Sequence, residues 1–148
     1  AMFPSLNTML TDTFGTDQLL FNLPDDLLNK YKAFRQDSGD PIVYGNKLIG
    51  YLIGRGIKPT TKTIVFSDGL DVRMMGQLNR EFDGRIGVKF GWGTGLTNPY
   101  NERKLNIVVK PTKLFVGDEQ RGLVKLSDTP GKESGSTSNV NYYRKVFV

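Results

Sequence analysis

Four polar loops recur at nearly even intervals along the chain, and this spacing restricts the fold more than any other feature. The loops begin near residues 12, 37, 67 and 91, and each directly follows a short apolar segment typical of a strand. Helix-like segments follow the first three loops, so the intervals of 25, 30 and 24 residues match a repeated strand–loop–helix unit. The chain is therefore predicted to belong to the α/β class, with about four such units in succession.

Polar residues after every predicted strand favour one kind of α/β fold. In an open doubly wound sheet only the switch-point loops carry the site, whereas a β/α barrel places functional loops after each strand. Four units are about half of an eight-unit barrel, so we expect part of a TIM-like β/α barrel in residues 1–104. Residues 105–148 are expected to form a small antiparallel β appendage and a C-terminal tail.

The predicted appendage rests on three apolar segments and one turn signal. Strands are expected at residues 105–110 and 123–126, with a third at 113–115 and a turn at Gly117 and Asp118. Residues 142–147 are expected to end the chain as a short helix or a short strand. Two local signals support the predicted helices: Asp40 and Asp71 are expected to cap helices, the first with Pro41 at its first position.

Residue content limits the chemistry of the chain. Histidine and cysteine are both absent, which excludes thiolate metal sites and cysteine nucleophiles and leaves Asp, Glu, Lys, Arg, Tyr and backbone groups. A net charge of +5 suits phosphorylated small molecules, while the scattered lysines and arginines do not indicate nucleic-acid binding. Because no run approaches the ~20 apolar residues of a membrane span and no signal sequence is present, we expect no membrane association and a cytoplasmic location.

The glycine-rich loop at residues 91–95 is the strongest candidate for binding phosphate. Backbone N–H groups around Gly91, Gly93 and Gly95 can converge on an anion, and Thr94 adds a hydroxyl donor. Glycines also serve tight turns, which is the alternative explanation for the same pattern.

Charged side chains in the other loops suit a ligand that carries phosphate and ribose. Arg35 offers a planar donor fork for phosphate or carboxylate, and Asp37 offers a metal or ribose ligand; an exposed ion pair in an ordinary turn is the alternative. Asp68 can bind ribose hydroxyls or a metal-bound pyrophosphate, and Gly69 allows close backbone approach. With Asp12 at a neighbouring strand end, these carboxylates can hold Mg²⁺ or stabilise a developing cation.

Six motifs occur together in a fixed order. They are TDTFGT at 11–16, RQDSGDP at 35–41, SDGLD at 67–71, FGWGT at 90–94, LNIVVK at 105–110 and KLSD at 125–128. The set resembles the C-terminal part of the nicotinate phosphoribosyltransferases, which are related to nicotinamide phosphoribosyltransferase. The resemblance covers nearly the whole chain, from about residue 6 to residue 147.

The resemblance implies a type II phosphoribosyltransferase of NAD biosynthesis. Such an enzyme joins nicotinate to phosphoribosyl pyrophosphate, yields nicotinate mononucleotide and pyrophosphate, uses Mg²⁺ and coupled ATP hydrolysis, and acts as a homodimer. It also implies that Arg35 and Asp37 belong to the ribose and pyrophosphate region, Asp68 to the phosphoribosyl site, and Gly93 and Thr94 to the 5′-phosphate loop. Asp37 or Asp68 can contact Mg²⁺ through its complex with pyrophosphate.

The expected site therefore contains two kinds of residue. Asp37 and Asp68 are the expected catalytic residues. The expected substrate-binding residues are Asp12, Arg35, Ser38, Ser67, Gly69, Gly91, Gly93, Thr94 and Gly95.

The chain departs from the family pattern in three ways. Family members carry an upstream histidine that ATP phosphorylates, and this chain has no histidine. The N-terminal domain and the first barrel strands are absent, and Gly95 stands where the family often has asparagine. We therefore expect a fragment or subunit that needs the missing N-terminal half as a partner. The alternative is a catalytically inactive truncated relative that serves as a binding or assembly module.

Overall fold

A parallel four-stranded sheet forms the centre of the chain in a computed structural model that describes residues 5–97 and 107–147. The strands lie in sequential order, so each one pairs with its neighbour in the chain. This confirms the α/β class. The strands are β1 (Thr8–Leu10), β2 (Ala33–Gln36), β3 (Thr63–Phe66) and β4 (Gly87–Phe90).

Helices connect these strands. They are α1 (Thr16–Asn22), α2 (Asp25–Lys30), α3 (Pro41–Gly54) and α4 (Val72–Phe82), with a 3₁₀ helix at Pro59–Thr61. The two predicted caps are confirmed, because Asp40 accepts hydrogen bonds from the N–H groups of residues 42 and 43 and Asp71 from that of residue 74. Among the described helices, none combines the length and the apolar character needed to cross a membrane.

One face of the sheet is packed against the helices, and we call it the apolar face. Phe34, Ile64 and Phe66 are fully buried there, and the ring of Phe66 lies 5.6 Å from that of Phe82. Burying such apolar surface is the main stabilising contribution in a domain of this kind. The helices supply the rest of this core through Leu20, Leu28, Leu48, Leu52, Leu78 and Phe82.

The alternate strand residues point to the opposite face, which we call the charged face. Strand register aligns Leu10, Arg35, Val65 and Lys89 in one row across the sheet. Arg35 and Lys89 are exposed and Val65 is half-buried. The two faces of one sheet therefore differ sharply in composition.

The C-terminal part of the chain contains a hairpin and a helix. Strands β5 (Lys113–Val116) and β6 (Glu119–Gly122) pair in antiparallel register across a two-residue turn, which confirms the predicted small antiparallel sheet and its turn. A short helix α5 (Thr94–Thr97) follows the fourth loop, and α6 (Thr137–Phe147) confirms the helical alternative for the chain end.

Two predicted strands in this part need correction. Residues 123–126 are not a strand, apart from a single bridge between Lys125 and Ser134, because the turn fixes β6 four residues earlier. Residues 107–110 form no strand either, and residues 105 and 106 lie outside the described chain, as does the boundary predicted at 104 and 105.

Candidate functional site

The polar loops lie at one edge of the sheet, which we call the loop rim. All four strands run parallel, so their C-terminal ends meet at this edge and the loops after them come together. A later stretch of chain, residues 125–134, contacts the loops after β1, β2 and β3, and we call it the crossing segment. The loop rim and the crossing segment together bring most of the predicted site residues into contact.

Asp12 and Ser38 meet in a buried contact below the crossing segment. The Ser38 hydroxyl donates a 2.6 Å hydrogen bond to Oδ2 of Asp12, and the same oxygen lies 3.4 Å from Nζ of Lys125. A buried carboxylate needs such partners because it is costly to remove from water. Oδ1 of Asp12 has no hydrogen-bond partner within the described residues. Asp12 thus links two loops to the crossing segment.

Arg35, Ser67 and Asp37 form a second, more open group. Nε of Arg35 donates a 2.8 Å hydrogen bond to the Ser67 hydroxyl, and Nη2 of Arg35 lies 3.4 Å from Oδ1 of Asp37. The side chain of Arg35 is 46% exposed and that of Asp37 32% exposed. An ion pair this accessible adds little stability, so a ligand anion can compete for the guanidinium.

Asp68 contacts the crossing segment directly. Nζ of Lys132 lies 2.6 Å from Oδ1 of Asp68 and 3.5 Å from the backbone oxygen of Asp37. One lysine therefore bridges the loops that carry both predicted catalytic carboxylates. Gly69, the next residue, has a φ of 60°, a left-handed conformation that glycine adopts without strain.

Close packing accounts for two of the three glycines in the fourth loop. A Cβ atom on Gly91 would lie 2.9 Å from Cβ of Ser67, and one on Gly95 would lie 2.6 Å from Nε1 of Trp92. Gly93 faces open space, and Thr94 begins α5. The structure thus connects this loop to the site through Gly91 and Ser67, while the phosphate role of the loop stays a prediction.

The sequence interpretation assigned no role to the crossing segment. Oδ1 of Asp128 accepts a 2.8 Å hydrogen bond from the N–H of Thr16, and Oδ2 accepts one from the Thr16 hydroxyl. The N–H of Gly39 donates to the Thr129 hydroxyl oxygen at 2.9 Å. The KLSD motif at 125–128 was the only signal that linked this segment to the site, and the partners of Asp128 and Thr129 lie 112 and 90 residues away in the chain.

A cavity of 240 Å³ lies where the crossing segment meets the start of α3. Ser38, Tyr44, Lys47 and Asp128 are among the residues that line it. Burial raises the pKa of the Tyr44 hydroxyl, which accepts a 3.3 Å hydrogen bond from the Thr11 hydroxyl. Tyr44 therefore stays neutral at physiological pH and acts as a fixed dipole beneath the loops.

The acidic residues of the described chain do not form a metal site of protein ligands alone. Within residues 5–97 and 107–147, no group of three or more His, Cys, Asp or Glu side chains is arranged to hold a metal ion. The carboxylate of Asp12 contacts Ser38 and Lys125, that of Asp37 pairs with Arg35, and that of Asp68 pairs with Lys132.

The chain is similar in sequence to known nicotinate phosphoribosyltransferases. Residues 1–148 match the family described as the nicotinate phosphoribosyltransferase (NAPRTase) family. A nicotinate phosphoribosyltransferase from Xylella fastidiosa is 37% identical over 143 residues, which are 96% of this chain and 35% of the relative. One from Escherichia coli is 41% identical over 128 residues, which are 86% of this chain and 31% of the relative. The chain spans about a third of the length of these relatives.

The fold is also similar to solved structures of nicotinate phosphoribosyltransferases. The crystal structure of nicotinate phosphoribosyltransferase from Porphyromonas gingivalis has a TM-score of 0.90 and 32% identity, covering 97% of this chain and 38% of that one. The corresponding structure from Vibrio cholerae has a TM-score of 0.83 and 34% identity, covering 97% and 36%.

Proposed function

The chain belongs to the nicotinate phosphoribosyltransferase family, and we propose that it supplies the phosphoribosyl-binding part of such an enzyme's active site. The family match over residues 1–148 confirms the resemblance seen in the six motifs. In the proposed reaction, nicotinate and phosphoribosyl pyrophosphate give nicotinate mononucleotide and pyrophosphate. The chain would act within a longer enzyme or an assembly.

One observation carries this proposal: hydrogen bonds and ion pairs connect five residues at the loop rim, namely Arg35, Asp37, Ser67, Asp68 and Lys132. As pyrophosphate leaves C1 of the ribose, positive charge develops on the sugar, and nearby carboxylates lower the energy of that charge. Arg35 and Lys132, the two cations beside these carboxylates, suit the departing phosphates. The loop rim thus offers both signs of charge that this bond cleavage requires.

Asp37 and Asp68 also suit a magnesium–pyrophosphate complex. Mg²⁺ keeps several waters and takes one or two carboxylates together with substrate phosphates, so it needs no cage of three protein acids. Both carboxylates are 32% exposed, whereas Asp12 is buried and engaged by Ser38 and Lys125. When bound, Mg²⁺ neutralises charge on the leaving group. We therefore propose Asp37 and Asp68 as its contacts and Asp12 as a residue that holds the loops.

The sheet order supports the proposed place of the chain in a larger fold. Sequential parallel strands, with the helices between them joining one core against one face, are the local arrangement of a β/α barrel. We propose that the remainder of a longer protein continues this barrel. ATP coupling through a phosphorylated histidine would require that remainder, because these 148 residues contain no histidine. The homodimer stays a prediction from the family resemblance, and the cytoplasmic location stays a prediction from the sequence pattern.

The first test is the native mass of the purified assembly and the denatured masses of its components. A second, larger chain, followed by turnover with nicotinate, phosphoribosyl pyrophosphate, Mg²⁺ and ATP, is the expected result. A lone species of 16.6 kDa or a simple multiple that shows no turnover would contradict the enzyme proposal and favour an inactive binding module.

The second test addresses the site itself. We expect Asp68→Ala to abolish measurable binding of phosphoribosyl pyrophosphate by the assembly, because it removes a carboxylate that is proposed to contact the magnesium–pyrophosphate complex. Asp118→Ala is the matched control, since Asp118 lies in the exposed turn between β5 and β6. Unchanged binding by the Asp68 variant, measured by isothermal titration calorimetry, would contradict the site assignment.

A further inference from the structure

We propose that Lys89 recognises the carboxylate of the pyridine acid and so determines substrate specificity; the proposal rests on the proposed function. Lys89 is the third residue of β4 and lies on the charged face of the sheet. It is exposed and makes no hydrogen bond or ion pair with any residue that the structure describes. Within the described part of the chain, no side chain competes with a ligand for its ammonium group.

The strand register places Lys89 near the loop rim. Arg35, Val65 and Lys89 are aligned across three neighbouring strands. Parallel strands lie about 4.8 Å apart, which separates the Cα atoms of Arg35 and Lys89 by roughly 10 Å. The next residues on the same face are those of the loop rim, including Ser67 and Gly91. Lys89 thus lies one layer below the loops that are proposed to hold phosphoribosyl pyrophosphate.

This layer differs chemically from the loop rim above it. At the loop rim, Lys125 and Lys132 lie beside carboxylates and hydrogen-bond donors that suit phosphates and ribose. The layer below is simpler and alternates apolar and cationic side chains: Leu10, Arg35, Val65 and Lys89. The half-buried Val65 offers an apolar surface to a flat aromatic ring, and the cations beside it suit a single carboxylate.

Of the two cations, Lys89 is the one without a protein partner in the described chain. Arg35 is already engaged by Ser67 and Asp37, which orient its guanidinium toward the loop rim. A parallel sheet is normally covered on both faces, and a lysine on a covered face needs an anion near it. A substrate carboxylate provides that anion, whereas a neutral amide does not. Lys89 would therefore favour nicotinate over nicotinamide.

The test measures equilibrium binding of radiolabelled nicotinate and nicotinamide to the native assembly that contains this chain, using dialysis. We expect Lys89→Ala to weaken nicotinate binding by about tenfold or more, the loss typical of a hydrogen bond to a charged group. Nicotinamide binding should not change, and Lys89→Arg should restore most of the nicotinate affinity. Lys58→Ala is the matched control, because Lys58 is an exposed lysine that precedes the 3₁₀ helix.

The outcomes separate this inference from the proposed function. If the unaltered assembly turns over and Lys89→Ala leaves nicotinate affinity unchanged, the Lys89 assignment is wrong and the enzyme proposal stands. A loss of phosphoribosyl pyrophosphate binding with nicotinate binding intact would also overturn it, by placing Lys89 among the phosphate ligands. Absence of turnover in the unaltered assembly contradicts the enzyme proposal, while the dialysis result still decides whether Lys89 binds the acid.

Discussion

The two faces of the parallel sheet share the same strands but carry opposite chemistry. On the apolar face Ile64 and Phe66 are fully buried against helices, whereas on the charged face Arg35 and Lys89 remain exposed. Strand residues alternate between faces, so adjacent positions such as Val65 and Phe66 have different neighbours. Stability of this chain therefore depends mainly on every second strand residue. Among the residues between them, Arg35 and Lys89 are exposed and accessible to a ligand.

The largest difference in stability is expected between substitutions of two adjacent residues of β3. Phe66→Ala should lower the free energy of unfolding by about 3–5 kcal/mol, because it leaves a cavity in the core beside Phe82. Val65→Ala should cost about 1 kcal/mol or less, since Val65 is only half-buried. Urea denaturation followed by circular dichroism measures both. Equal costs for the two variants would show that the faces do not differ in their contribution to stability.

A smaller effect on stability is expected for two glycines of α3, where substitution by alanine should destabilise the chain at one site and stabilise it at the other. A Cβ atom on Gly45 would lie 2.2 Å from the buried ring of Phe82, so Gly45→Ala should destabilise the chain by about 1–3 kcal/mol through overpacking. Gly50 has no atom within 4 Å of such a Cβ. Gly50→Ala should stabilise the helix by about 0.5–1 kcal/mol. Thermal denaturation of both variants checks this contrast, which fails if both changes shift the midpoint in the same direction.

The smallest expected effect is a pH dependence of stability that arises from Glu133, which lies on neither face of the sheet. Backbone N–H groups of Glu133 itself and of Gly131, together with Arg144 at 2.8 Å, hold the pKa of the Glu133 carboxyl below its usual value. Its stabilising contribution is therefore complete above the ordinary pKa of 4.5 and is lost as the pH falls through the lowered folded-state pKa.

The comparison is between the unaltered chain and Glu133→Gln. We expect their urea midpoints to differ at pH 6 and to converge toward pH 3, with the unaltered chain the more stable at pH 6. A constant difference across this range would show that the carboxyl does not titrate as described.

Features that depend on neighbouring residues could be predicted from the sequence. The β-branched and apolar segment Thr63–Phe66, one of the apolar segments that precede the polar loops, forms β3, and Asp40 and Asp71 cap the helices that follow them. In each case the determining interaction lies within a few residues, so propensity and capping chemistry suffice. The loop rim was equally predictable, because parallel strands necessarily bring their C-terminal ends together.

Features that depend on distant residues could not be predicted this way. Residues 123–126 have the composition of a strand, yet β6 (Glu119–Gly122) pairs instead, since the tight turn at Gly117 sets the register. The contacts of Lys125 and Lys132 with loop-rim acids also required the tertiary structure. A lysine or aspartate in a polar turn gives no indication of which distant loop it meets.

The crossing segment also has a consequence for the order in which the chain folds. Its bond between Asp128 and Thr16 joins residues 112 positions apart, whereas each strand pair of the sheet joins neighbours in the chain. Long closures are entropically more costly and form later than short ones. During synthesis, all four strands are made before residue 125 is added. We therefore expect a nascent chain to hold a formed sheet while its site is still open, and to complete the site only after the crossing segment has emerged.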